Sequence, residues 1–221
     1  MNLFDIIGPV MIGPSSSHTA GASRAGLVAR HLLDAEPVRA NITLYGSFAK
    51  TYAGHGADRA IIGGILGFSL DDERIRDSFT HAKARGLAFT FATSEKDVGH
   101  PNTVRIELTG ADGETVCVVV RSVGAGVVNV VEIDGGEVLF TAEYDTTVIF
   151  NRDRAGVIAD ITAVFARHSI NIAFMRVFRK GEGKEAVMVI ETDQSVSPLL
   201  QQELRGVDNI RKVITIPPLG A

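Results

Sequence analysis

Apolar residues recur at helical spacing over residues 17–33, directly after a Pro-Ser-Ser-Ser opening, and predict a helix there. Residues 41–46 are short and β-like. Residues 50–67, rich in Ala, Gly and Ile, read as one buried helix whose glycines allow close backbone approach. A second, polar helix is predicted over 74–85. Four strands follow, at 87–93, 104–109, 115–122 and 127–133, with Ala111-Asp112-Gly113 and Asp134-Gly135-Gly136 suited to hairpin turns. Strands arriving in a run after helices favour an α+β layer over a doubly wound sheet.

The pattern restarts near Asp145. Strands are predicted at 146–150, 171–179, 184–191 and 209–216, with an amphipathic helix at 156–168 and a helix at 198–205. That order is βαββαβ, the ferredoxin-like split unit. Two domains are therefore expected, at 1–142 and 145–218, and the tail 217–221 has no partner in the pattern and is expected to fray.

Composition narrows the function. With 221 residues, 22 Lys+Arg against 26 Asp+Glu, a formal charge of −4 and no Trp, the chain shows no basic or base-stacking surface for nucleic acid and no electrostatic attraction to an acidic membrane. The apolar start is too short and too broken by Gly and Pro to span a bilayer and lacks a basic leader, so a cytoplasmic location is expected. The single cysteine, Cys117, lies inside TVCVVV and reads as a small buried core residue; alone it cannot supply a cysteine-held cluster or an internal disulfide.

Candidate chemistry concentrates in the first half. Gly13-Pro14-Ser15-Ser16-Ser17-His18-Thr19 sets hydroxyls and free N–H groups at a helix start, where the dipole favours an anion such as a carboxylate or phosphate. One serine would satisfy an N-cap, and this stretch exceeds that need. His55, in Gly54-His55-Gly56-Ala57-Asp58, is open on both sides and suits a general base removing a proton α to a carboxylate; the plain alternative is a structural hydrogen bond to a carbonyl. His100 and Asn102, in Gly99-His100-Pro101-Asn102, suit contacts to an amino acid or ordinary turn chemistry. His31, His81 and His168 read as solvated surface residues. Downstream, Asn151-Arg152-Asp153-Arg154-Ala155-Gly156-Val157 joins a strand to a helix, where Gly156 lets a small ligand approach or simply makes a tight turn.

Three passages resemble one family. FDIIGPVMIGPSSSHTAGASRAG, at 4–26, GSFAKTYAGHGADRAIIGGILG, at 46–67, and the short Gly99–Asn102 motif are similar, in order, to the iron–sulfur-dependent L-serine dehydratases. Residues 146–216 resemble an ACT domain, which alone implies only amino-acid sensing. The resemblance implies a first domain of α+β fold like the allosteric substrate-binding domain of some phosphoglycerate dehydrogenases. It implies β-elimination of L-serine to pyruvate and ammonia, a reaction of amino-acid metabolism and gluconeogenesis, with a [4Fe–4S] cluster polarising the leaving hydroxyl. One cysteine fits the two-chain form, in which this chain is the beta subunit of a heterodimer and the cluster sits on a cysteine-bearing alpha subunit.

Carried over by motif, Ser15, Ser16, Ser17, His18 and Thr19 line the substrate pocket, His55 is the base, and His100 and Asn102 are further substrate contacts. No metal is expected on this chain's own residues. The ACT resemblance implies Asn151, Gly156, Val157, Asn171 and Ile172 near an effector site at an interface between copies, with self-association through ACT domains. The competing reading is a non-catalytic amino-acid-binding regulator with an ACT sensor.

Overall fold

A computed structural model describes residues 11–13, 15–179 and 181–219. The chain divides into two compact units between Gly135 and Gly136.

In the first unit a π-helical turn, Ser16–Ala20, runs directly into α1 (Gly21–Leu33). Then come β1 (Pro37–Tyr45), α2 (Gly46–Thr51), α3 (Ala57–Ile65), a 3-10 turn at Glu73–Asp77, α4 (Ser78–Ala84) and β2 (Ala88–Ser94). β3 (Asn102–Gly110), β4 (Thr115–Gly124) and β5 (Val127–Ile133) complete it. These strands lie in the order β2-β1-β3-β4-β5; β1 and β2 are parallel and the other neighbours antiparallel. The parallel pair needs a crossover, and α2, α3 and α4 supply it.

Alternation along the strands puts Ile42, Leu44, Val104, Ile106, Val118, Val120 and Val130 on one buried face. α1 packs on β3, β4 and β5 of this sheet and is itself covered by α3. Being covered on both sides, α1 is buried over most of its circumference, including Ser23 and Arg24. Its approach to α3 is set by glycines: a Cβ on Gly26 would lie 2.3 Å from the Ile61 carbonyl oxygen, and one on Gly64 2.0 Å from that of Ser23.

Several expectations are corrected here. The single helix expected at 50–67 is two, α2 and α3, separated by a turn at 52–56. Gly56, with φ +69°, occupies the left-handed conformation that ends one path and opens α3. Cys117 is half-buried rather than core, because the strand period sends it to the face opposite Val116 and Val118. His31, His81 and His168 are half-buried, not freely solvated; His81 meets the Phe68 ring edge-on and His168 Nε2 lies 2.7 Å from Glu203 Oε2.

The second unit begins with β6 (Gly136–Phe140), which the sequence pattern did not anticipate. It continues with β7 (Asp145–Arg152), α5 (Val157–Arg167), β8 (Ile172–Arg179), β9 (Glu185–Thr192), α6 (Pro198–Arg205) and β10 (Ile210–Ile216). The last four strands pair antiparallel in the order β10-β7-β9-β8, as a ferredoxin-like βαββαβ unit requires. Ile149, Met188 and Ile190 from the sheet meet Ile161, Phe165, Leu200 and Leu204 from the helices in one core. Part of the tail is held, since the Leu219 N–H donates to the Ala142 carbonyl; residues 220 and 221 lie outside the described residues.

α6 starts on a side-chain cap. Ser197 Oγ accepts the Leu200 N–H at 3.2 Å, and Pro198 follows in the first turn, where its missing N–H costs nothing. Ser197→Ala is expected to cost about 1 kcal/mol, read as a lowered urea midpoint at unchanged slope. An unchanged midpoint would show the cap to be idle.

Candidate functional site

Two stretches far apart in sequence converge at the start of α1. The Ser15–Thr19 segment winds into the π-helical turn, with Ser15 Oγ accepting the His18 N–H at 3.2 Å as its cap. Thr19 is buried, and its hydroxyl donates to the His55 carbonyl at 3.2 Å. The Ser122 hydroxyl of β4 donates to the Ser17 carbonyl at 2.9 Å, tying the turn to the sheet. A Cβ on Gly21 would fall 2.1 Å from that Ser122 hydroxyl, so the glycine admits the contact. Pro14 lies outside the described residues, as does the opening of the first motif before Met11.

His55 is held in the turn between α2 and α3 by its own N–H, which donates to the Thr51 carbonyl at 3.0 Å. Its ring meets that of His18 edge-to-face, with centroids 4.9 Å apart. Phe48 of α2 meets the His18 ring in the same manner at 5.2 Å. Both nitrogens of His18 face hydroxyls: Nδ1 lies 3.4 Å from Ser15 Oγ and Nε2 lies 3.3 Å from Ser47 Oγ. Burial, followed by the nearby His55, lowers the His18 pKa, so His18 favours its neutral form. His55 Nδ1, by contrast, is buried with no hydrogen-bond partner among the described residues. Such an atom costs about 1–3 kcal/mol unless a group outside the described residues meets it.

The third motif reaches this pair indirectly. Gly46, with φ +55°, turns the chain from β1 into α2 against Pro101, whose carbonyl oxygen would sit 2.5 Å from a Cβ there. The Ser47 N–H then donates to that carbonyl at 2.6 Å. His100 Nδ1 accepts the Asn102 N–H at 3.2 Å, and Asn102 Oδ1 is buried without a partner among the described residues. His100 also lines a cleft of ≈ 720 Å³, together with Lys50, Ser94, Glu95 and Lys96. Burial, then the charge of Arg121, lowers the His100 pKa. Among the described residues no hydrogen bond joins His100 or Asn102 to His18 or His55; the link runs through Ser47 and Pro101.

Sequence reasoning did not single out Ser47, Phe48 or Ser122. Ser47 stood inside a quoted motif, but nothing local distinguishes it from a helix-opening serine.

In the second unit, Asn151 is buried in β7, its Nδ2 donating to the Arg152 carbonyl and its Oδ1 unpartnered among the described residues. Gly156, at φ +89°, precedes α5, whose first residue, Val157, belongs to the core. Asn171 sits elsewhere: its N–H donates to Gln194 Oε1 and its Nδ2 to Asp193 Oδ2. Because β7 pairs Asn151 with Ala186 while Ile172 pairs with Thr192, the two groups lie at opposite ends of β9. They are about 20 Å apart at ~3.3 Å per residue, and one copy of the chain does not bring them together.

No group of three or more His, Cys, Asp or Glu that could hold a metal ion occurs among the described residues. Cys117 faces Arg105, whose Nε donates to the sulfur at 3.1 Å, and burial pushes the thiol pKa up. A protonated, singly placed thiol does not fit the ligand set of a [4Fe–4S] cluster, which takes several thiolates. No helix among the described residues is long and apolar enough to cross a membrane.

Comparisons with known proteins match two separate stretches of the chain to known families. Residues 2–87 match the family model described as serine dehydratase beta chain, and residues 146–209 match that of the ACT domain. The chain is 43% identical over 215 residues to a probable L-serine dehydratase beta chain of Bacillus subtilis, covering 97% of each chain. It is 36% identical to the L-serine dehydratase beta chain of Peptoniphilus asaccharolyticus, covering 93% of each. It is also 31% identical over 138 residues to D-3-phosphoglycerate dehydrogenase of Bacillus subtilis, covering 62% of this chain and 26% of that one. The chain belongs to the L-serine dehydratase beta-chain family and carries an ACT domain.

Proposed function

We propose that this chain is the beta subunit of a cytoplasmic, two-chain L-serine dehydratase, inactive alone, converting L-serine to pyruvate and ammonia. Residues 1–142 form the substrate-pocket half and residues 145–218 the regulatory half. The [4Fe–4S] cluster is carried by a cysteine-bearing alpha subunit. The observation that supports the reading best is the meeting of two motifs as the His18–His55 pair, with His55 Nδ1 buried and unpartnered among the described residues.

His55 is the base. It removes the α-proton of L-serine, and loss of the β-hydroxyl as water leaves aminoacrylate, which goes on to pyruvate and ammonia. Ser15, Ser16, Ser17, His18 and Thr19 line the pocket, where the turn's hydroxyls and N–H groups favour the substrate carboxylate. His100 and Asn102 are further contacts from the third motif. Asn151, Gly156 and Val157 of one copy face Asn171 and Ile172 of a second across self-associated ACT domains; their separation within one copy supports a shared effector site.

The test is anaerobic co-purification with the chain as bait, followed by iron analysis and a serine-to-pyruvate assay. A cysteine-rich partner bearing iron, with pyruvate formed only by the pair, is the expected result. An amino acid bound by this chain alone, with no partner and no pyruvate, would instead establish a sensor without catalysis.

A further inference from the structure

We propose that Ser47 is a positioning residue that fixes His18 as its Nε2–H tautomer, and that the third motif acts on the site by holding Ser47 in place. Its bearing on turnover rests on the function proposed above; the tautomer itself does not.

Counting the donors and acceptors among the described residues points to one tautomer. Ser15 Oγ accepts the His18 backbone N–H at 3.2 Å and lies 3.4 Å from His18 Nδ1. A hydroxyl that accepts one hydrogen bond still has one proton to donate, and among the described residues Nδ1 is the acceptor facing it. Nδ1 then carries a lone pair, and the ring proton sits on Nε2. Ser47 Oγ, 3.3 Å from Nε2, accepts it. The opposite tautomer would leave the Ser15 proton without an acceptor among the described residues.

Among the described residues, the Ser47 hydroxyl meets His18 Nε2 and has no competing structural duty. It is the second residue of α2, not its cap; that position belongs to Tyr45, which makes no side-chain capping bond. Its backbone is nonetheless tied down twice. The N–H donates to Pro101 at 2.6 Å, and the carbonyl accepts the Thr51 hydroxyl at 2.9 Å. Gly46 permits this close approach, since a Cβ there would lie 2.5 Å from the Pro101 carbonyl oxygen. With Phe48 and His55 against the ring, rotation of His18 is opposed at its sides as well as at both nitrogens. The His18 ring in turn meets that of His55, so a disordered His18 would remove one wall of the proposed base.

Long-range ¹H–¹⁵N spectra of the histidine-labelled full chain test this directly. The wild-type His18 is expected to show a protonated Nε2 and a bare Nδ1. Ser47→Ala is expected to mix the two tautomers, and Ser47→Thr, which keeps the hydroxyl, to restore the wild-type pattern. In the assembled two-chain enzyme Ser47→Ala lowers kcat about tenfold, a minor share of what a positioned acid–base group supplies, with KM changed less than about twofold. A His18 spectrum unmoved by Ser47→Ala, or not restored by Ser47→Thr, overturns the tautomer assignment; a mixed tautomer with unchanged kcat overturns the positioning role. If the spectra behave as expected but no assembly dehydrates serine, the assignment of the tautomer stands and the proposed function falls.

Discussion

His55→Ala in the assembled enzyme is expected to reduce serine turnover by about 100- to 10,000-fold, while L-serine still binds. The size follows from the role. A positioned base removes a proton from a weakly acidic carbon, and its described neighbours His18 and Thr19 are already engaged. His18 sits closest, but both its nitrogens face serine hydroxyls. Thr19 spends its hydroxyl on the His55 carbonyl. Only the side chain is deleted by the substitution; the His55 N–H to Thr51 and the carbonyl to Thr19 are main-chain contacts and survive. The fold therefore has no reason to open, and the turn at Ser16–Ala20, proposed to bind the carboxylate, keeps its geometry. Steady-state pyruvate formation checks the first half and calorimetric titration with L-serine the second. Turnover within threefold of wild type would remove His55 from the base role. Loss of binding together with turnover would make it a substrate contact.

The second unit was legible because its signals agree with one another. The short, mostly buried runs of β7 and β9, helical spacing through α5 and the Ser-Pro start of α6 each agree with the tertiary pairing, so local preference and global fold coincide. The first unit was harder where one residue type serves two purposes. Glycine is the case in point: within the stretch expected as one helix, Gly64 permits a close crossing while Gly56 breaks the helix, and composition alone does not distinguish them. Cys117 was misplaced because TVCVVV is apolar throughout, hiding the strand parity that turns every second side chain away from α1. In the site, His18 and His55 carried visible signals, an excess of hydroxyls and a flanking pair of glycines. Ser47 carried none, because what distinguishes it is a contact 29 residues back along the chain to His18.

Gly64→Ala is expected to destabilise the first unit by about 3 kcal/mol or more, at the upper end of what overpacking costs. Replacing an exposed helical glycine by alanine ordinarily gains about 1 kcal/mol, so the sign is set by the crossing rather than by propensity. The added methyl would lie 2.0 Å from the Ser23 carbonyl oxygen and 2.8 Å from the Leu27 nitrogen. Those are main-chain atoms of α1, which is fixed against the sheet on its other side, so neither can swing aside as a side-chain end would. The helices must part, and Gly26 on the Ile61 carbonyl leaves no slack at the neighbouring turn. Parting them also separates the chemistry, because α1 continues the turn that carries His18 and α3 follows directly on His55. A melt that is about 10 °C lower, with turnover falling at temperatures where the protein is still folded, is the expected pair of results. Gly54→Ala is the control: its nearest neighbour is the Thr51 carbonyl at 3.7 Å, an ordinary contact, and it should melt with the wild type. If Gly64→Ala melted with it, the two helices would have to be able to separate without loss, and the glycine pair would not be what brings the two motifs together.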